Sequence, residues 1–225
     1  MSATGRGKAR VAFDYYPSPP WCVHRLLDRD AGGLGLKHLG QSIRVLEPSI
    51  GDGAIVRAVD TWRAGFIEDR GPIEWTGVEL RRGALAHGTD ALLAEHIEGV
   101  DYRVWIPSHR FDLALGNPPF GLMESFIRCA LRQAAIVCFL ARMAILESAE
   151  RVAFWQHVAP EPALRVLPDR PSFDGEGTDA TAYAWFVFNA PLIRGVRVLD
   201  STPKAIRDAQ KPMTPAGISQ LELEL

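Results

Sequence analysis

Asn117-Pro118-Pro119-Phe120 is the stretch in which side-chain and main-chain chemistry are most concentrated. The apolar run Leu113 to Leu115 stops at Gly116, so a strand ends there and a stiff loop begins. Ligands of open α/β sheets gather at such carboxyl ends of strands. Two consecutive prolines fix φ and remove two N–H donors, which leaves carbonyl oxygens and the Asn117 amide oxygen as acceptors beside an aromatic ring. The loop suits a flat ligand carrying an amino group. Phe120 can stack on a heterocycle while the acceptors receive two amino hydrogens, and adenine is a ligand of that kind. A proline-rich turn capped by a core Phe would read the same, so the surrounding chain has to decide.

The stretch resembles the catalytic tetrapeptide, (Asp/Asn/Ser)-Pro-Pro-(Tyr/Phe/Trp), of S-adenosylmethionine-dependent amino-group methyltransferases. In its Asn-Pro-Pro-Phe form it is most similar to the N6-adenine methyltransferases. The resemblance implies that Asn117, Pro118, Pro119 and Phe120 are catalytic, with Asn117 also beside the cofactor, and that Phe120 stacks on the target base.

The elements that must position this loop are spelled out before and after it. Tyr15-Tyr16-Pro17-Ser18-Pro19-Pro20 ends an extended segment, and Ser18 can cap the helix that follows, whose first turn tolerates proline. The segment resembles the Tyr-x-Thr-Pro stretch that cradles the methionine end of the cofactor in this family, with Ser18 for the usual Thr; Tyr16, Ser18 and Pro19 are its candidates. A strand over Ile43 to Leu46 runs into Glu47-Pro48-Ser49-Ile50-Gly51-Asp52-Gly53 and then a helix from Ala54 to Trp62. Gly51 and Gly53 let the backbone bend tightly and approach a ligand closely. Position 56 is Val, so the Gly-x-Gly-x-x-Gly fingerprint of a pyrophosphate site is not met. The turn instead resembles the (Asp/Glu)-x-x-x-Gly-x-Gly cofactor turn, with Glu47 near the sulfonium end and Ser49, Gly51 and Gly53 around it.

The next strand, Ile73 to Val78, closes on Glu79, whose two carboxylate oxygens can accept from both hydroxyls of a ribose. Roughly 30 residues separate it from Glu47, comparable with the ~20 between the dinucleotide motif and its ribose acid. Arg81 to Glu95 is expected as helix and His96 to Trp105 as a third strand. In the family an Asp followed by an aromatic here holds the cofactor's adenine, which points to Asp101 and Tyr102, with Asp90 as a rival.

Beyond the loop, Leu122, Phe126, Ile127, Ala130 and Leu131 recur at helical spacing, and Ala134 to Ala141 reads as a strand buried on both faces. A helix from Ala144 to Val158 and a strand from Ala163 to Leu167 are expected next. The polar loop Pro168 to Thr181 is longer than a connector needs to be. In the resembled family this region supplies a second aromatic against the flipped base, and Phe173 is the candidate. Tyr183 to Phe188 is expected as the last strand, antiparallel and at the sheet edge, with a short strand over Arg197 to Leu199 after it.

The order of motifs is similar to the gamma group of amino-methyltransferases and spans Tyr15 to Phe188. The fold this implies is α/β: a Rossmann-like class I methyltransferase, with a seven-stranded, mostly parallel sheet, an antiparallel last strand and helices on both faces. At 225 residues, 47% hydrophobic, the chain can bury one good core. The expected organisation is a flexible arm over 1–12, a methyltransferase domain over 13–190 and an extension over 191–225, without a separate target-recognition domain.

The implied reaction is methyl transfer from S-adenosylmethionine to the N6 amino group of adenine in DNA, with the base flipped out of a duplex or taken from a single strand. An RNA adenine or protein-glutamine methyltransferase would use the same loop, since a carboxamide also presents an NH2. A non-catalytic nucleic-acid-binding subunit with a relic cofactor site is the alternative of a different class. A formal net charge of −2 advertises no global basic field, so any nucleic-acid contact must come from a local patch. A specificity partner or a homo-oligomer stays open. Cys22, Cys129 and Cys138 are odd in number and widely spaced, which reads as buried free thiols and no metal site. No apolar run approaches the ~18 residues needed to span a bilayer, and the first ten residues lack an apolar signal core, so the expectation is a cytoplasmic protein with no membrane partner.

Overall fold

The computed structural model describes residues 16–28, 33–34, 42–65, 71–157, 161–173 and 180–211. The arm expected over 1–12 and part of the loop after Phe173 lie outside them.

Helix α1, Pro20–Leu27, opens the described chain, with Pro20 in its first turn where no N–H partner is lost. Strand β1, Ile43–Glu47, leads through the Gly-rich turn to α2, Ala54–Ala64, and then to β2, Ile73–Glu79. No helix follows β2. Gly83 and Gly88 take positive φ, at 64° and 78°, and break the stretch into turns that fold back on the first Gly-rich turn, with Ala86 N–H donating to Asp52 O at 3.1 Å. Strand β3 is Leu93–Glu98, earlier than expected, so Asp101 and Tyr102 fall just beyond its carboxyl end.

Strand β4, Phe111–Gly116, and α3, Met123–Gln133, flank the Asn-Pro-Pro-Phe loop, and β5 is Ala134–Arg142. The helix expected from Ala144 is mostly absent. Two 3-10 turns, Met143–Leu146 and Ala149–Arg151, are separated by Ser148 at φ 105°, and only α4, Val152–His157, is α-helical. Strands β6, Ala163–Leu167, β7, Tyr183–Phe188, and β8, Val196–Val198, and helix α5, Lys204–Ala209, complete the order.

The sheet has eight strands in the order β3-β2-β1-β4-β5-β7-β6-β8. All described neighbours are parallel except those of β7, which runs antiparallel to both β5 and β6. The last long strand is therefore antiparallel as expected, but it lies inside the sheet and not at its edge. All six of its residues are buried, since an inner strand has helices over both faces. The eighth strand, β8, is the short pairing formed with β6 by the stretch after residue 190.

Alternation divides the core in two. Leu113, Leu115, Trp185 and Val187 face α1 and α2, whereas Ala114, Phe186 and Phe188 face α3 and α4. The Trp185 indole donates to the Cys22 carbonyl at 3.0 Å, which ties α1 to the sheet. The order reverses beside β1: β2 and β3 lie on one side and β4 on the other. The crevice at the carboxyl ends of β1 and β4 is thus the topological switch point, where open α/β sheets bind ligands.

Candidate active site

A pocket of about 490 Å³ opens at that switch point. Its lining combines Tyr16, Ser18, Glu47, Ser49, Gly51 and Glu79 with Asp101, Tyr102, Asn117 and Pro119. Five separate stretches of sequence named for one ligand thus meet around one space.

Glu47 is the last residue of β1, in register with Gly77, and is only 2% exposed. Its Oε2 has no hydrogen-bond partner. Burial, reinforced by the nearby Asp52 carboxylate, pushes the Glu47 carboxyl well above the usual carboxylate range, against the opposing pull of Arg57. A cation beside Glu47 would reverse that cost. Gly51 and Gly53 both take positive φ, at 59° and 81°, so the turn needs glycine. A Cβ on Gly53 would lie 2.4 Å from the Thr89 methyl group, so this glycine faces a neighbouring segment and not the pocket.

Glu79 is held in place by the protein itself. Its Oε2 accepts from Gly51 N–H at 2.8 Å, while Oε1 accepts from the Arg81 main chain at 2.9 Å and from Arg81 Nε at 3.0 Å. A carboxylate offers about four lone-pair directions. One ribose hydroxyl therefore fits as the site stands, and a second fits when Arg81 Nε turns away. Asp101 is gripped by Arg103, through Nη2 at 2.6 Å, and those hydrogen bonds hold its carboxyl below the usual range. Tyr102 is buried against Phe126, its hydroxyl unpartnered and its phenol pushed upward by burial. Asp90 is exposed on a 3-10 turn and does not line the pocket.

Asn117 follows β4 directly. Its Nδ2 donates to the Tyr16 carbonyl at 3.1 Å, which fixes the amide plane, and its Oδ1 is buried with no partner. Ser18 and Ser49 hydroxyls are likewise buried and unpartnered. Buried polar atoms are ordinarily satisfied, so five such atoms around one pocket, with Glu47 and Tyr102, mark the place of a polar ligand.

Phe120 stands in an aromatic group beside the pocket. Its ring is stacked with Tyr16 at 6.0 Å and lies edge-on to Phe173 at 6.3 Å. Phe173 is buried at 7% exposure and packs against Tyr183 as well. Pro19 lies outside the pocket at the start of α1, and Pro118 is buried and does not line it. Sequence reasoning passed over Arg142, whose guanidinium lies 4.5 Å above the Phe120 ring while Nε donates to the Tyr183 hydroxyl at 2.9 Å. The signal was there: Arg142 is the charged residue ending an apolar strand, as Glu79 is. Among the described residues no His, Cys, Asp and Glu grouping could hold a metal ion, and no helix is long and apolar enough to cross a membrane.

No protein-family profile matches the chain. Over 125 residues it is 34% identical to the type II methyltransferase M.TthHB8I of Thermus thermophilus, a match covering 54% of this chain and 23% of that protein. The chain thus spans under a quarter of that relative's length. Among solved structures it is similar to a Listeria monocytogenes protein assigned as a class I S-adenosylmethionine-dependent methyltransferase, with a TM-score of 0.62, 13% identity and coverage of 97% of this chain and 73% of that one. It is also similar to the methyltransferase subunit of a type I restriction-modification system from Streptococcus thermophilus, with a TM-score of 0.59, 15% identity and coverage of 93% and 52%.

The cofactor this fold implies is S-adenosylmethionine, and the lining fits it: the unpartnered Glu47 oxygen could face its cation, the remaining lone pair of Glu79 could accept from its ribose, and Asp101 and Tyr102 line the same pocket. Fold, switch-point pocket and sequence likeness together bear out the resemblance read from Asn117 to Phe120, and the chain has the class I S-adenosylmethionine-dependent methyltransferase fold.

Proposed function

We propose that the chain transfers a methyl group from S-adenosylmethionine to the exocyclic N6 amino group of adenine in DNA. The observation that carries this reading is Asn117, with its amide nitrogen anchored on Tyr16 and its buried oxygen left without a donor. An acceptor so oriented waits for an N–H. When bound, S-adenosylmethionine supplies an electrophilic methyl group on a positively charged sulfur.

What the protein does is hold the amine. An exocyclic amine conjugated with a ring is a poor nucleophile, because its lone pair is delocalised. Asn117 Oδ1 and the Pro118 carbonyl, accepting its two hydrogens, favour a pyramidal nitrogen whose lone pair is directed to one side. Positioning of this kind can account for roughly 7–11 kcal/mol of barrier in favourable cases. Glu47 and Glu79 hold the other reactant, and Phe120 stacks on the base once Arg142 has left its face. A base inside a duplex cannot reach this pocket, so it is flipped or taken from a single strand.

DNA is favoured as the acceptor by the sequence relative, a type II methyltransferase. Sequence recognition, in this proposal, rests with a partner or with a part of the protein outside residues 13–190. The test is incubation with methyl-labelled cofactor and adenine-containing DNA, RNA or a glutamine peptide in parallel. Label is expected in DNA and recovered as N6-methyladenine; label in RNA or peptide alone overturns the reading.

A further inference from the structure

A second cleft, of about 230 Å³, lies between the start of α1, the loop after β6 and helix α5. Arg170, Lys204, Arg207 and Lys211 line it against a single lining carboxylate, Asp208. Such a local excess of positive charge stands out on a chain of net charge −2. Lys204 and Lys211 share Asp208, and Arg207 reaches Asp169 at 3.4 Å. Arg170 is exposed and has no ion-pair partner among the described residues. Ser172, also in the lining, is 5% exposed, and its hydroxyl is buried without a hydrogen-bond partner. An unpartnered hydroxyl beside one cation without an anion, Arg170, and three that share two carboxylates describes a site for a phosphate group.

The cleft shares a wall with the active-site pocket. Pro19 in the cleft follows Ser18 in the pocket, and Ser172 in the cleft precedes Phe173, which packs against Phe120 and Tyr16. The two spaces are therefore adjacent across the backbone of residues 18–19, and the backbone of residues 172–173 runs from the cleft to the aromatic group beside the pocket. We propose that this cleft binds a backbone phosphate of the nucleic acid next to the target adenine. The inference rests on the proposed function, and it names residues that position the strand and take no part in methyl transfer.

The test uses the full chain and a single-stranded, adenine-containing oligodeoxynucleotide, with binding read over a salt series. Arg170→Glu combined with Lys204→Glu is expected to weaken binding roughly tenfold at low salt and to reduce the salt slope by about 0.7 for each phosphate no longer neutralised. Cofactor affinity, titrated separately, should not change. Arg170→Glu alone should move binding the same way by less, and this exposed, unpaired side chain gives no reason for misfolding. Wild-type affinity and slope in folded variants overturn the proposal. A parallel titration with inorganic phosphate at constant ionic strength separates the sources. Phosphate binding lost in the variant while oligonucleotide binding persists assigns the cleft to a free anion and also overturns it. Because the readout is binding, failure of DNA to accept a methyl group would sink the proposed activity and leave this result standing.

Discussion

In the proposed reaction the Asn117 side chain has two roles, and only one is chemical. Its nitrogen ties the loop to Tyr16, and its oxygen is available for the amine. Asn117→Ala should therefore retain the fold and the cofactor while losing turnover on the order of a hundredfold, by comparison with removal of one oxyanion donor, because the hydrogen bond it removes strengthens in the transition state. Asn117→Asp should keep part of the rate, since a carboxylate accepts the same hydrogen bonds. A wild-type rate in folded Asn117→Ala removes the loop from catalysis. Glu47 makes the opposite kind of prediction. Its folded carboxyl titrates above its unfolded value of about 4.3, so between the two the native state holds more protons and stability falls as pH rises. Glu47→Gln removes that penalty and should raise the thermal midpoint of the ligand-free protein at neutral pH, by an amount that vanishes below the ordinary carboxylate range. The same substitution should weaken binding of the cationic cofactor. In the wild type that affinity should increase as pH rises through the raised Glu47 titration, and in the variant it should stay flat; a flat wild-type profile by calorimetry contradicts this role.

At the scale of elements, the Gly-rich turn is held from outside. Glu79, at the end of β2, accepts from Gly51 across 28 residues and from Arg81 beside it. Thr89 packs under Gly53 and accepts from Arg57 at 2.8 Å. The stretch after β2 thus serves as a brace for the turn, which explains why it is not a helix. Glu79→Ala should act twice. It leaves the buried Gly51 N–H without an acceptor, at a cost of about 1–3 kcal/mol in stability, and it removes the acceptor for the ribose. Thermal unfolding and cofactor calorimetry should both move; unchanged cofactor affinity with lowered stability would leave Glu79 a brace alone.

At the scale of the whole molecule, one buried antiparallel strand joins the halves of the sheet. β7 carries Trp185, whose indole holds the Cys22 carbonyl, so α1 and the Tyr16 to Ser18 segment before it are anchored through the core. Trp185→Phe should destabilise the protein by about 1 kcal/mol or more from the missing hydrogen bond and the volume left behind. Its effect on cofactor affinity should be small beside that of Glu47→Gln. Denaturant unfolding with titration of the same samples checks both, and a stable variant that no longer binds would show that β7 controls the pocket more directly.

The sequence by itself determined where the strands of the site end. Ile43 to Glu47, Ile73 to Glu79 and Phe111 to Gly116 are apolar runs stopped by a carboxylate or by glycine and proline, and that signal is local, because backbone conformation follows from neighbouring residues. That Glu47, Gly51, Glu79 and Asn117 lie at or just beyond those ends was legible for the same reason, and all four line one pocket. Two regular-looking stretches misled because their apolar content met local breaks, at Gly83 and Gly88 and at Ser148. Only the tertiary structure decided which groups are engaged and which are open. Asn117 finds Tyr16 across 101 residues, Arg142 covers Phe120, and the continuous run Tyr183 to Phe188 slots between β5 and β6 and not at an edge. Pairing partners and side-chain contacts of this kind depend on packing between segments far apart in the chain, and no periodicity within one segment encodes its neighbour.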